Sequence, residues 1–93
     1  MKAILTYTIM INGKEVEQTR LFDTEKAKKI CDVANDFRNK VKGIFVTDKG
    51  MVFEHVVVGD ERLTIPDQKE IKKWIGENEP DKYIEFFGEV EDG

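Results

Sequence analysis

The sequence predicts a small α+β protein. It is read as a single domain spanning 1–93, with a mostly antiparallel sheet in the order ββα-βββ-α, a candidate last strand, and one long amphipathic helix packed on one face. Three observations carry this. An Asn12-Gly13 pair separates two alternating segments. Apolar residues then recur at steps of three and four from Ala27 to Val41. A second β-rich stretch follows and ends at Pro66. Ninety-three residues suffice for one core, whereas two domains of half that size would each be too small to hold one.

Taken in order, Lys2–Ile11 reads as a strand, because Ala3, Leu5, Tyr7, Ile9 and Ile11 alternate with more polar neighbours. Asn12 and Gly13 both tolerate the positive φ that a two-residue type I′ turn requires. That turn sets the register of the returning strand Lys14–Phe22: Ile11 faces Lys14, Ile9 faces Val16, Tyr7 faces Gln18 and Leu5 faces Arg20. The returning strand is the more polar of the two, which suits a sheet edge.

Asp23–Gly43 is the longest periodic segment and predicts a helix. Ala27, Ile30, Val33, Ala34, Phe37 and Val41 gather on one face, with Cys31 at its edge. Lys28, Asp32, Asn35, Asp36 and Asn39 fall opposite. Asp23 or Thr24 caps the start, Glu25 and Lys40 with Lys42 complement the helix dipole, and Gly43 closes the end. A strand Ile44–Thr47, an Asp48-Lys49-Gly50 turn and a strand Met51–Val58 follow. The latter is apolar on both faces and therefore reads as an inner strand. Arg62–Ile65 is a short strand stopped by Pro66. Asp67 and Glu70 form a capping-box-like start to a helix over Gln68–Ile75, which Gly76 ends. Residues 83–90 fit both a strand, through Ile84, Phe86 and Val90, and a helix opening at Pro80; the alternation favours the strand.

Composition excludes several classes of function. Apolar residues make up 40% and charged residues 37%, which fits neither a disordered chain nor a membrane-embedded one. No apolar run reaches the length of a membrane span, and the first ten residues read as a strand rather than a signal peptide. A lone cysteine fits a reducing, cytoplasmic setting. Net charge is −4 and unevenly spread. Residues 1–76 hold 14 Lys and Arg against 12 acids, or +2; residues 77–93 hold one Lys against seven acids, or −6.

Catalytic chemistry is hard to find. The chain has no serine. Cys31 and His55 are its only Cys–His pair, and a buried thiol among apolar neighbours stays protonated. One His without ligands at the right spacing reads as a satisfied structural or surface residue, not a metal site. Asp32 and Asp36, four apart, read as a solvated helix face. The seven glycines are isolated and form no phosphate loop. No cofactor is expected.

Two surfaces remain. Lys26, Lys28, Lys29, Arg38, Lys40 and Lys42 would give the long helix some affinity for nucleic acid, although Asp23, Glu25, Asp32 and Asp36 interrupt them and the pI is near 5.0. The second surface is aromatic and acidic: Glu79, Asp81, Glu85, Phe86, Phe87, Glu89, Glu91 and Asp92, with Trp74 and Tyr83 nearby. Aromatic anchors ringed by charge are typical of protein interfaces; the plainer reading is that the rings finish the core and the acids are merely solvated. The sequence thus predicts a non-enzymatic protein-binding module, such as an inhibitor presenting acids to a basic, nucleic-acid-binding partner, as small phage and mobile-element proteins do. The rival readings are a nucleic-acid-binding accessory domain and a small enzyme using carboxylates. No membrane partner is expected.

Overall fold

A computed structural model describes residues 1–32, 41–57 and 59–93. Among these, six strands and two helices form an α+β fold. Strands β1 (Lys2–Ile11) and β2 (Lys14–Asp23) form a two-stranded antiparallel sheet. Its register is the one that Asn12-Gly13 sets, with Ile11 opposite Lys14 and Leu5 opposite Arg20. Asn12 and Gly13 both have positive φ, 51° and 77°, as a type I′ turn demands.

The helix expected over Asp23–Gly43 does not form in the residues described. Its start signal is real but one turn long. The Asp23 carboxylate accepts from Glu25 N–H at 2.9 Å, and the Asp23 carbonyl accepts from Ala27 N–H at 2.9 Å. The chain then extends into β3 (Lys28–Asp32) and later into β4 (Val41–Val46), which pair antiparallel. Ile30 and Cys31 are consecutive and both buried, a spacing that fits one helix face. Here a register shift between Lys29 and Cys31 turns both inward from a strand. Pairing with β4 has overridden local periodicity. Gly43, expected to close the helix, lies inside β4, where a Cβ would sit 3.2 Å from Lys29 Cε and from the Phe45 ring. Val33, Ala34, Asn35, Asp36, Phe37, Arg38, Asn39 and Lys40 lie outside the described residues, as does Val58.

Strand β5 (Val52–Val56) is buried at every position and pairs with β4 on one side and with β6 (Arg62–Thr64) on the other. The second sheet thus runs β3-β4-β5-β6. The turn before β5 is built as expected. Gly50 N–H donates to the Thr47 carbonyl at 2.9 Å, and Gly50 takes φ 86°.

Helix α1 (Gln68–Asn78) is capped by Asp67, whose carboxylate accepts from Glu70 N–H at 2.9 Å. It runs past Gly76 to Asn78. Gln68 also ties the helix to the sheet. Its amide accepts from Val52 N–H and donates to the Val52 carbonyl, both at 2.8 Å. Strand β6 is too short to reach Val52, so a side-chain amide continues the ladder in its place. The segment after Pro80 is a helix, α2 (Pro80–Phe87), and not a strand. Proline occupies the first turn, where its missing N–H costs nothing, and Tyr83, Phe86 and Phe87 share a face at helical spacing.

The layers follow from alternation in β4 and β5. Ile44, Val46, Val52 and Val56 face the helices, clustering with Ile30, Cys31, Ile71 and Ile75. Phe45 and Phe53 face the other way and cluster with Phe22 and Leu63, against which Ala3, Leu5 and Tyr7 pack. The four-stranded sheet is therefore covered by α1 and α2 on one face and by the β1-β2 hairpin on the other. This corrects the expected arrangement of one sheet under one long helix.

Candidate functional site

The acidic C-terminal surface is carried by α2 and the residues after it. Tyr83, Phe86 and Phe87 are partly buried and pack against the helix-side core. Tyr83 and Phe87 meet with ring centroids 5.2 Å apart, and Lys72 Nζ lies 5.2 Å from the Phe87 centroid. The two phenylalanines named from sequence are thus core-facing anchors that keep part of their surface in water. Glu79 joins the helices through its backbone: its N–H donates to the Ile75 carbonyl at 2.7 Å, and its carbonyl accepts from Tyr83 N–H at 3.0 Å. These bonds fix the direction in which α2 leaves α1.

The acids point the other way. Asp81, Glu85, Glu89, Glu91 and Asp92 are exposed, and Glu79 is partly so. Lys82 Nζ lies 3.7 Å from Glu85 Oε1. Among the described residues, no other base pairs with these acids. Lys69, Lys72 and Lys73 instead line a groove of about 550 Å³ with Glu77, Tyr83 and Val90. They run beside the acids without bonding to them.

Cys31 lies beneath this region. It is 8% exposed, and its thiol pKa is pushed up to about 11, first by burial and then by the Glu79 and Asp32 carboxylates. Such a thiol is a poor nucleophile at neutral pH. His55 cannot activate it. It alternates with Val56 along β5 and so falls on the Phe53 side of the sheet, whereas Cys31 packs on the helix side. His55 is itself buried, with Nε2 2.6 Å from Glu61 Oε1.

Asp32 pairs with Lys29, and Asp36 lies outside the described residues. Among the described residues, no group of three or more His, Cys, Asp or Glu side chains is placed to hold a metal ion. The basic residues expected on a helix are dispersed as well. Lys26 lies in the turn after β2, while Lys28 and Lys29 are neighbours on β3. Arg38 and Lys40 lie outside the described residues. No helical face gathers Lys26, Lys28 and Lys29.

No family model matches the chain, and no curated protein or solved structure does.

A second concavity was not foreseen. It lies between the hairpin and the Thr47–Met51 turn, holds about 480 Å³, and is lined by Tyr7, Ile9, Arg20, Phe22, Lys26 and Met51 among others. The sequence signal for it was weak. Ile9 is an inward position of β1, but nothing in the alternation shows where the supporting sheet stops.

Proposed function

We propose that the chain is a protein-binding module without catalytic chemistry of its own, and that α2 with the residues after it docks onto a basic protein surface. The observation that supports this is the split character of α2. Its aromatic face is anchored on the core, while Asp81 and Glu85 are held outward beside Glu89, Glu91 and Asp92. Carboxylates on an anchored helix lose little freedom on docking and offer a directed field to a basic groove. A partner that binds nucleic acid through such a groove fits this charge, and an inhibitor of it is the simplest form the module takes. A reducing, cytoplasmic compartment suits the lone buried thiol.

The test is kinetic. A partner recovered by pull-down is bound to the wild type and to a Glu85→Gln, Glu89→Gln, Glu91→Gln triple variant across ionic strength. Slower association and a shallower salt dependence, with the circular dichroism spectrum unchanged, are expected. An on-rate at low salt equal to the wild type's overturns the reading.

A further inference from the structure

We propose that the edge of β1 turned away from β2, unpaired among the described residues, pairs antiparallel with β1 of a second copy, giving a two-fold dimer centred on Tyr7. The first support is the direction of the backbone groups. In a two-residue hairpin the pair flanking the turn, Ile11 and Lys14, exchanges both hydrogen bonds, so the odd residues of β1 bond to β2. The other end has the same phase, since Thr24 N–H donates to the Met1 carbonyl at 2.9 Å. The N–H and C=O groups of Ile4, Thr6, Thr8 and Met10 therefore point away from β2. Among the described residues β1 pairs only with β2, although β6 passes near it.

The second support is the difference between the hairpin's two edges. That of β2 is guarded: Glu15 and Glu17 flank it, and Arg20 Nη1 donates to the outward Thr19 carbonyl at 2.8 Å. Charges of this kind block strand addition. The edge of β1 has no such device, with no charge and no proline from Ala3 to Ile11. Ile4 is 71% exposed and Met10 63%.

The third support is the sequence of β1 itself. Read outward from Tyr7, it gives Thr6 and Thr8, Leu5 and Ile9, Ile4 and Met10, Ala3 and Ile11. An antiparallel pairing of two copies about Tyr7 sets like against like. Ile4 of one copy faces Met10 of the other, and Thr6 faces Thr8; both are pairs that exchange two hydrogen bonds. Leu5 faces Ile9 on the inner side. The paired stretches are uncharged, so no like charges meet, and the contact is isologous, as a closed two-fold dimer requires. Nine residues pair over about 30 Å, which places the interface among the small specific ones and makes the dimer concentration-dependent.

Sedimentation velocity on the full chain, from micromolar to millimolar protein, is the test. A monomer–dimer equilibrium is expected. Thr8→Pro removes an outward N–H that β2 does not use, and should abolish the dimer. Met10→Lys disrupts both Ile4–Met10 contacts and should raise the dissociation constant about tenfold. Glu17→Lys, on the other edge, should leave the dimer intact. A wild type that stays monomeric throughout overturns the proposal, as does a dimer that survives both β1 substitutions in folded protein.

Discussion

The two faces of the four-stranded sheet are covered in different ways. On the helix side the buried cluster is aliphatic apart from Cys31, with Glu54 buried on the same face of β5, and the covering helices are fixed by the Asp67 cap, the Gln68 bonds to Val52 and the Glu79 backbone. On the hairpin side the contact is a short relay of rings. Tyr7 meets Phe22 edge-on at 5.8 Å, Phe22 meets Phe53 at 5.2 Å, and Phe53 stacks on Phe45 at 5.5 Å. Beyond Tyr7 the hairpin packs into neither buried cluster. One layer is seated along its length, the other at one end. Burial per residue, rather than strand length, sets how firmly a layer is held.

The largest expected effect tests the ring relay. Phe22→Ala should cost about 3–5 kcal/mol in urea unfolding, because it opens a cavity where the hairpin meets the sheet. Native-state hydrogen exchange should then show β1 and β2 amides losing protection before those of β5. Equal loss in all three strands would show that the two layers are one cooperative unit.

Next comes the seal on the opposite face. Gln68→Ala leaves the Val52 N–H and C=O without partners and should cost about 2–3 kcal/mol. Gln68→Glu keeps the acceptor but sets a carboxylate oxygen against the Val52 and Pro66 carbonyls, so it should cost at least as much. A cost near zero would mean that water replaces the amide, and that this face is less closed than its burial implies.

Cys31 reports on the same face through pH. The unfolded thiol ionises near its ordinary value of 9.0 and the folded one near about 11. Between these values the unfolded chain has lost the proton and the native chain has kept it. Stability should therefore be intact below pH 9 and fall as pH rises towards 11, by about 2 kcal/mol. Cys31→Ala should remove this slope and leave the slope that lysines contribute. The native thiol should also resist alkylation that is rapid in denaturant. Fast labelling of the folded protein would place α2 in frequent detachment.

The smallest effect belongs to the outer face of the hairpin. Leu21 is 54% exposed there, and Leu21→Thr should shift stability by less than about 0.5 kcal/mol. A larger loss would mean that this face is covered in solution.

What the sequence made legible was local. Asn12-Gly13, Asp48-Lys49-Gly50 and the Asp67 cap each act through a few bonds within a few residues, and each formed where expected. The five apolar-flanked residues of β5 announced burial on both faces. Lys28–Asp32 was misread because its strand identity comes from β4, more than ten residues away. Ile30 beside Cys31 looks helical until a bulge is allowed. At α2, strand alternation and helix spacing competed over the same rings, and Pro80 was the better guide. The acids of the candidate site were legible from charge alone. That Phe86 and Phe87 turn towards the core depends on α2 being a helix, so the site's anchors were hidden by the same misreading.

The hairpin has a mechanical consequence. Clamped at Ala3, Leu5, Tyr7 and Phe22 and unsupported at Asn12 and Gly13, it is a cantilever whose free arm beyond Tyr7 is about 20 Å long. A load applied at the tip acts on the clamp through the full lever arm, so the rings at the root bear a larger force than the tip does. A slight tilt at Phe22 likewise becomes a wide sweep at Gly13. Anything that grips the far end can prise the root apart, and anything that stiffens the root steadies the far end.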